Sequence, residues 1–157
     1  FVNTDMVLNN ARPNFILLTD ADALRQEMGR VYTVTGSHAR FSMSFTGTTI
    51  KMTCDSEYGS SSTEMDVVPL TGSPNGTYWY SPSKLYECLR ALSGNVMLKV
   101  CQAGALVMET DEVTCMQMSM REPKVYVPKP VVEKKEEPKA KKPRKKKNAE
   151  APQEEAA

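Results

Sequence analysis

Two stretches of this chain spell the same order of elements. From Asn14 to Leu70 the pattern reads strand, helix, then three alternating strands, and from Thr77 to Met120 it reads so again. A duplicated β-α-β-β-β unit points to an α+β domain in which two helices pack on antiparallel sheets. Two such units can close their sheets over the pair of helices and leave one helical face free for a partner. That geometry suits a scaffold better than a catalyst.

The residues support each element. Phe15-Ile16-Leu17-Leu18 is a short apolar strand, and Thr19 stands three residues before Asp22 in a pattern resembling a capping box. Ala21, Leu24, Met28 and Val31 then recur at helical spacing, with Arg25, Gln26 and Arg30 on the opposite side. Phe41, Met43 and Phe45 alternate with polar residues, as do Ile50, Met52 and Cys54, which predicts strands with one apolar face. After a polar loop expected over 55–62, the segment Thr63–Leu70 reads as the third strand. The turn-rich run Thr71–Gly76 joins the halves. In the second half, Thr77–Tyr80 is an aromatic strand, and Ser81-Pro82 starts a helix with a capping hydroxyl and a proline at its first position. Leu85, Cys88, Leu89 and Leu92 form its stripe, and Gly94-Asn95 ends it. Val96, Leu98 and Val100 alternate, Gly104 breaks the run, Ala105–Met108 continues it, and Val113–Met120 is the last strand.

Charge divides the chain. The 157 residues carry a formal net charge of +1. Residues 1–123 hold nine Lys/Arg against thirteen Asp/Glu, whereas residues 124–157 hold eleven against six. Residues 1–13 are expected to be a linker or the end of a preceding domain, since the chain opens on Phe1 and suits the end of a longer protein. The folded part is expected over 14–122. Residues 123–157 are Lys, Glu, Pro and Ala without periodicity, a composition that buries too little apolar surface to offset chain entropy and predicts a disordered tail. Its run Lys139–Lys147 is a polycation that either attracts nucleic acid loosely or only aids solubility.

Few residues suggest chemistry. Cys54, Cys88, Cys101 and Cys115 fall singly inside apolar alternation, with neither a CxxC pair nor a Cys/His cluster, and read as reduced thiols of a cytosolic protein without a metal. His38 has no carboxylate or cysteine beside it in sequence. Asp20 and Asp22 suit a helix dipole better than acid catalysis. Gly72 and Gly76 lack the Lys-Ser/Thr of a phosphate loop, and Asn75-Gly76-Thr77 matches a glycosylation acceptor without a secretory context. No run is apolar and long enough to cross a bilayer. Arg25, Arg30 and Arg90 read either as a solvated face or as cations meeting phosphates without reading bases, an attraction that interspersed Glu27 and Glu87 keep weak. No cofactor is expected.

The run Tyr80-Ser-Pro-Ser-Lys-Leu-Tyr-Glu-Cys-Leu-Arg-Ala-Leu-Ser-Gly-Asn-Val-Met-Leu-Lys-Val100 and the ending Met116-Gln-Met-Ser-Met-Arg121 resemble the third domain of the bacterial DNA polymerase III sliding clamp (β subunit). Leu24–Val34 resembles the first helix of the same domain, so the resemblance spans about residues 14 to 122. It implies a DNA-clamp fold: a ring of domains, helices inside and sheets outside, that encircles duplex DNA without an active site. Such a ring tethers the polymerase III α subunit, the clamp loader and other proteins through short linear peptides.

Carried onto matching positions, the resemblance implies that Met118, Ser119, Met120 and Arg121 form one wall of a peptide groove. Lys84 then stands where an aromatic often lines it, and Ala103, Gly104 and Ala105 lie near the neighbouring strand. Arg25, Arg30 and Arg90 would face DNA, and Thr33 and Val34 would meet the next subunit in a head-to-tail ring if the full-length chain is present. Ser119 replaces a proline common in the family, its first two domains are absent, and a tail follows Glu122 where the family usually stops. The implied location is the bacterial cytoplasm, on the nucleoid and away from membranes. The competing reading is a non-replicative β-rich adaptor for protein or RNA with a basic, nucleic-acid-attracting tail.

Overall fold

The structure is a computed structural model that describes residues 12–36, 38–102 and 104–124. The first half contains strand β1 (Pro13–Asp20), helix α1 (Ala21–Tyr32) and strands β2 (Arg40–Thr46), β3 (Thr49–Ser56), β4 (Gly59–Asp66) and β5 (Val68–Thr71). The second contains strand β6 (Asn75–Trp79), helix α2 (Pro82–Arg90) and strands β7 (Asn95–Cys101), β8 (Leu106–Glu109) and β9 (Thr114–Gln117). Both halves therefore run strand, helix, three strands, with β5 added to the first. Most of the expected linker and tail falls outside the described residues.

The halves exchange their first strands. One sheet has the order β5-β1-β7-β8-β9, so β1 of the first half pairs antiparallel with β7 of the second. The other has the order β4-β3-β2-β6, so β6 of the second half pairs antiparallel with β2 of the first. Each sheet is thus completed by the opposite repeat, which makes the duplication a single folding unit with one shared core.

That core follows from the two periodicities. Phe41, Met43 and Phe45 of β2, Ile50, Met52 and Cys54 of β3, and Val96, Leu98 and Val100 of β7 all point inward. They meet Leu24, Met28 and Val31 of α1 and Leu85 and Leu89 of α2 in one buried cluster. Each such side chain contributes about 1.5–3 kcal/mol through loss of apolar surface to water. Phe15 and Phe45 join the two sheets directly, with ring centroids 5.3 Å apart. The helices lie side by side, with Tyr32 stacked on Tyr86 at 4.8 Å.

Three local expectations need correction. The segment Thr63–Leu70 is not one strand: β4 ends at Asp66, Val67 is buried, and β5 crosses to the other sheet to pair with β1. The Val67 N–H bonds to the Thr48 carbonyl at 2.8 Å and fixes the crossing. Residues 55–62 are not a loop either, because Asp55, Ser56 and Gly59–Ser62 continue the β3–β4 ladder. An edge strand with one solvated face tolerates serine and threonine, so its polarity hides the strand.

The helix caps also differ from expectation. Asp20, not Thr19, caps α1, accepting the Ala23 N–H at 2.9 Å. Ser81 holds the cap position of α2 without a side-chain cap bond. Gly72 is required where the chain leaves β5: its φ is +72°, and a Cβ there would meet the Asn14 carbonyl oxygen at 2.3 Å.

Candidate functional site

Beyond β9 the chain leaves the five-stranded sheet and crosses to the edge of the other. The Met120 N–H donates to the Trp79 carbonyl at 2.7 Å, a bridge to β6. Arg40 fastens the next residues: its Nε donates to the Pro123 carbonyl and its guanidinium pairs with Glu122, both at 2.9 Å. The same guanidinium lies over the Trp79 ring, 5.2 Å from its centroid. Residues 118–124 therefore form a strap between the sheets.

A groove of about 580 Å³ lies between this strap and α2. Lys84, Glu87 and Cys88 line it from the helix, where i, i+3 and i+4 share one face. Met116, Gln117, Met118, Ser119 and Met120 line it from β9 and the strap, and Ser81 closes the end. Met118 and Met120 are 52% and 42% exposed, and thioether side chains of this kind adapt to varied apolar groups. Lys84 and Glu87, both exposed, set opposite charges at the rim. A second depression of about 360 Å³ adjoins it, sharing Ser81 and Met120 and extending toward Tyr32 and Pro82.

The structure thus brings Lys84, Met118, Ser119 and Met120 together. Gly104 is buried behind them: at φ +74° it packs so closely that a Cβ would meet the Ser119 Oγ at 2.6 Å. The buried Tyr80 hydroxyl donates to the Gly104 carbonyl at 2.8 Å, and burial raises the Tyr80 pKa above its ordinary value. Ala105 does not line the groove; it packs with Cys101, Val107 and Met116 in a separate small cluster. Arg121 is exposed and absent from the lining, and Ala103 is outside the described residues. Ser81, Glu87, Cys88, Met116 and Gln117 were not anticipated, although helical spacing from Lys84 marks Glu87 and Cys88.

The arginines differ among themselves. Arg25 was expected to face outward, but it is only half-exposed and its guanidinium is committed to α2, donating to the Leu89 carbonyl at 3.1 Å and also to that of Leu92. Asp22 pairs with it at 2.6 Å. Arg30 is exposed but paired with Glu27 at 2.7 Å. Arg90 is exposed in the last turn of α2. Thr33 is exposed at the end of α1, its hydroxyl bonded to the Arg30 carbonyl at 2.7 Å. Val34 is half-buried against the core, and its carbonyl accepts the Ser56 hydroxyl. His38 is exposed, and its backbone N–H approaches Glu57 at 3.4 Å.

The four thiols are unpaired by disulfide. Burial, assisted by the Asp55 charge, raises Cys54 to about 11. Burial and then the neighbouring Cys115 raise Cys88. Raised thiol pKa values make poor nucleophiles at neutral pH. Among the described residues, no group of three or more His, Cys, Asp or Glu is placed to hold a metal ion.

No family model matches the chain, and no curated protein matches it in sequence. Solved structures do match in shape. A DNA polymerase sliding clamp from Caulobacter crescentus superposes with a TM-score of 0.64 over 77% of this chain, at 18% identity. The polymerase III β subunit of Pseudomonas aeruginosa gives 0.66 over 77%, at 16% identity.

The fold is that of a bacterial sliding clamp.

A polymerase III β subunit from Eubacterium rectale gives the same result, with a TM-score of 0.65 over 76% of the chain at 14% identity. The chain spans 33–34% of the length of these clamps, about one third of each. The expected two-helix, two-sheet clamp fold is therefore present.

Proposed function

We propose that this chain is a sliding-clamp domain, a non-catalytic processivity element that holds replication and repair proteins near DNA through short peptides. The groove carries this reading. It sits in a clamp fold, between the second helix and the closing Met-x-Met-Arg segment, and joins a methionine-lined wall to a charged rim. An extended peptide with one or two apolar anchors fits such a surface. The polymerase α subunit and the clamp loader are the partners of this class.

Contact with duplex DNA belongs to the same proposal, through the helical face. Asp22 and Glu27 neutralise much of what Arg25 and Arg30 offer. The remaining attraction is weak and independent of sequence, which suits sliding rather than anchoring. A head-to-tail ring with Thr33 and Val34 near the subunit contact, a basic C-terminal tail that attracts nucleic acid loosely and work on the nucleoid in the bacterial cytoplasm complete the proposal.

The test is an NMR titration of the 157-residue chain with an acetylated hexapeptide, Gln-Ala-Ala-Leu-Ala-Phe, bearing a free C-terminus. Shifts should concentrate at Lys84, Cys88 and Met116–Met120. A peptide that leaves these signals unmoved would favour the alternative, an adaptor using other surfaces for protein or RNA.

A further inference from the structure

Two of the four thiols lie against each other. Cys88 is half-buried on α2 and Cys115 is half-buried on β9. The cross-strand partner of Cys115 is Met108 of β8, which is fully buried, so Cys115 shares the inner face of its sheet, toward the helices. There the Cys115 S–H donates to the Cys88 carbonyl at 4.0 Å, and the Cys88 thiol hydrogen-bonds to the Cys115 side chain. Both pack against the same core. The other two thiols stand apart: Cys54 is buried on β3, and Cys101 belongs to the separate small cluster.

A single half-buried cysteine is an ordinary small apolar residue. Two whose side chains touch across a helix and a strand can also bond covalently. The helix concerned has much to gain from such a bond, because α2 lacks a side-chain cap bond and relies on Arg25 for carbonyls near its end. The two cysteines are 27 positions apart, so closing the bond would remove considerable freedom from the unfolded chain.

We propose that Cys88 and Cys115 are a reversible redox pair whose disulfide fastens α2 to β9. The proposal does not depend on what the groove holds. Oxidised glutathione is the disulfide reagent. The Cys115 thiolate attacks one of its sulfurs, breaks its S–S bond and releases one glutathione thiolate, leaving a mixed disulfide on Cys115. The Cys88 thiolate then attacks Cys115 Sγ and expels the second glutathione thiolate. The two departing thiolates take up the protons that the cysteines gave up, so two protein thiols are oxidised and one disulfide is reduced. Burial holds the Cys88 pKa up, which suits it to the second, intramolecular step, where proximity offsets a small thiolate fraction.

The full chain, incubated natively with oxidised glutathione, tests this. After free thiols are blocked, trypsin with a glutamate-specific protease leaves Cys88, Cys101 and Cys115 on separate fragments, 88–90, 100–109 and 113–121. Mass spectrometry should find 88–90 joined to 113–121 with the loss of two hydrogens, and Cys54 and Cys101 free. Glutathione retained on Cys88 or Cys115, a bond to either other cysteine, or four thiols still free each overturns the pairing. In Cys88→Ser the closing step is impossible, so Cys115 should keep its glutathione. Loss of glutathione there would mean that another group resolves it and overturns the assignment. Urea unfolding of wild type with and without dithiothreitol reads the fastening itself: oxidation should raise the folding equilibrium constant about a hundredfold. Equal stability of the two forms overturns the claim that the bond secures α2.

Discussion

The two helices occupy equivalent places in the repeat but are held very differently. Helix α1 runs for 12 residues, is capped by its own Asp20 and is laced by Asp22–Arg25 and Glu27–Arg30. Helix α2 runs for 9 residues, has no side-chain cap bond, and has carbonyls near its end satisfied by Arg25 of α1. The helix that lines the groove is therefore the one that depends on its neighbour. This places mechanical support on one repeat and the groove on the other, as a duplicated fold allows.

The largest effect should come from the shared core, where this asymmetry ought to vanish. Leu24→Ala in α1 and Leu89→Ala in α2 each remove a side chain exposed by 1% or less. Each should lower unfolding free energy by about 2–5 kcal/mol in urea titrations followed by circular dichroism. Both variants should still unfold in one transition. An early separate transition in Leu89→Ala alone would break the picture of one cooperative core and leave the repeats as independent units.

Thiol titration separates the repeats more sharply. Cys54 lies fully buried on β3, whereas Cys88 is half-buried on the groove wall. The Cys54 pKa rises on folding from 9.0 to about 11, so the folded state favours the neutral thiol. Its contribution is complete below pH 9 and is lost as pH rises toward 11. Cys54→Ala should flatten that stretch of the stability–pH curve, of order 2 kcal/mol in wild type. In native protein at pH 8, iodoacetamide should label Cys88 well before Cys54. The reverse order would mean that the groove wall is better protected than the sheet.

Arg25→Met probes the dependence itself. It keeps much of the side chain's bulk but leaves the Leu89 and Leu92 carbonyls without their guanidinium donor. The expected cost is about 1–3 kcal/mol. Amide exchange should accelerate more in α2 than in α1, although the substitution lies in α1. Equal acceleration in both would reduce Arg25 to an ordinary packing residue.

This dependence was not legible in the sequence, and the reason is physical. The stripes Ala21-Leu24-Met28-Val31 and Leu85-Leu89-Leu92 announced both helices because burial imposes a period. Strand alternation likewise exposed β2, β3 and β7. Arg25 follows no such rule: its spacing puts it beside solvent, and only the tertiary position of α2 draws its guanidinium inward. The switch at Val67 was hidden because Met65 and Val67 continue one alternation past the end of β4 at Asp66. Serines over 60–62 disguised an edge strand as a loop. At the groove, the resemblance marked Met118 and Met120, but nothing in the sequence singled out Gln117, a polar residue that is buried beside them.

The smallest test compares the two helix starts. Asp20 accepts a real bond from the Ala23 N–H, and its carboxylate sits at the positive end of the α1 dipole. Asp20→Ala should therefore cost about 1 kcal/mol. Ser81 occupies the matching place on α2, but its hydroxyl lies 3.3 Å from that of Ser83 and caps nothing. Pro82 already removes one of the donors that a cap would serve. Ser81→Ala should then cost less than about 0.5 kcal/mol, within the range of an ordinary surface change. Differential scanning calorimetry on the two variants reads the difference directly. Equal costs would show that α2 is capped in solution after all, and that its dependence on Arg25 is correspondingly weaker.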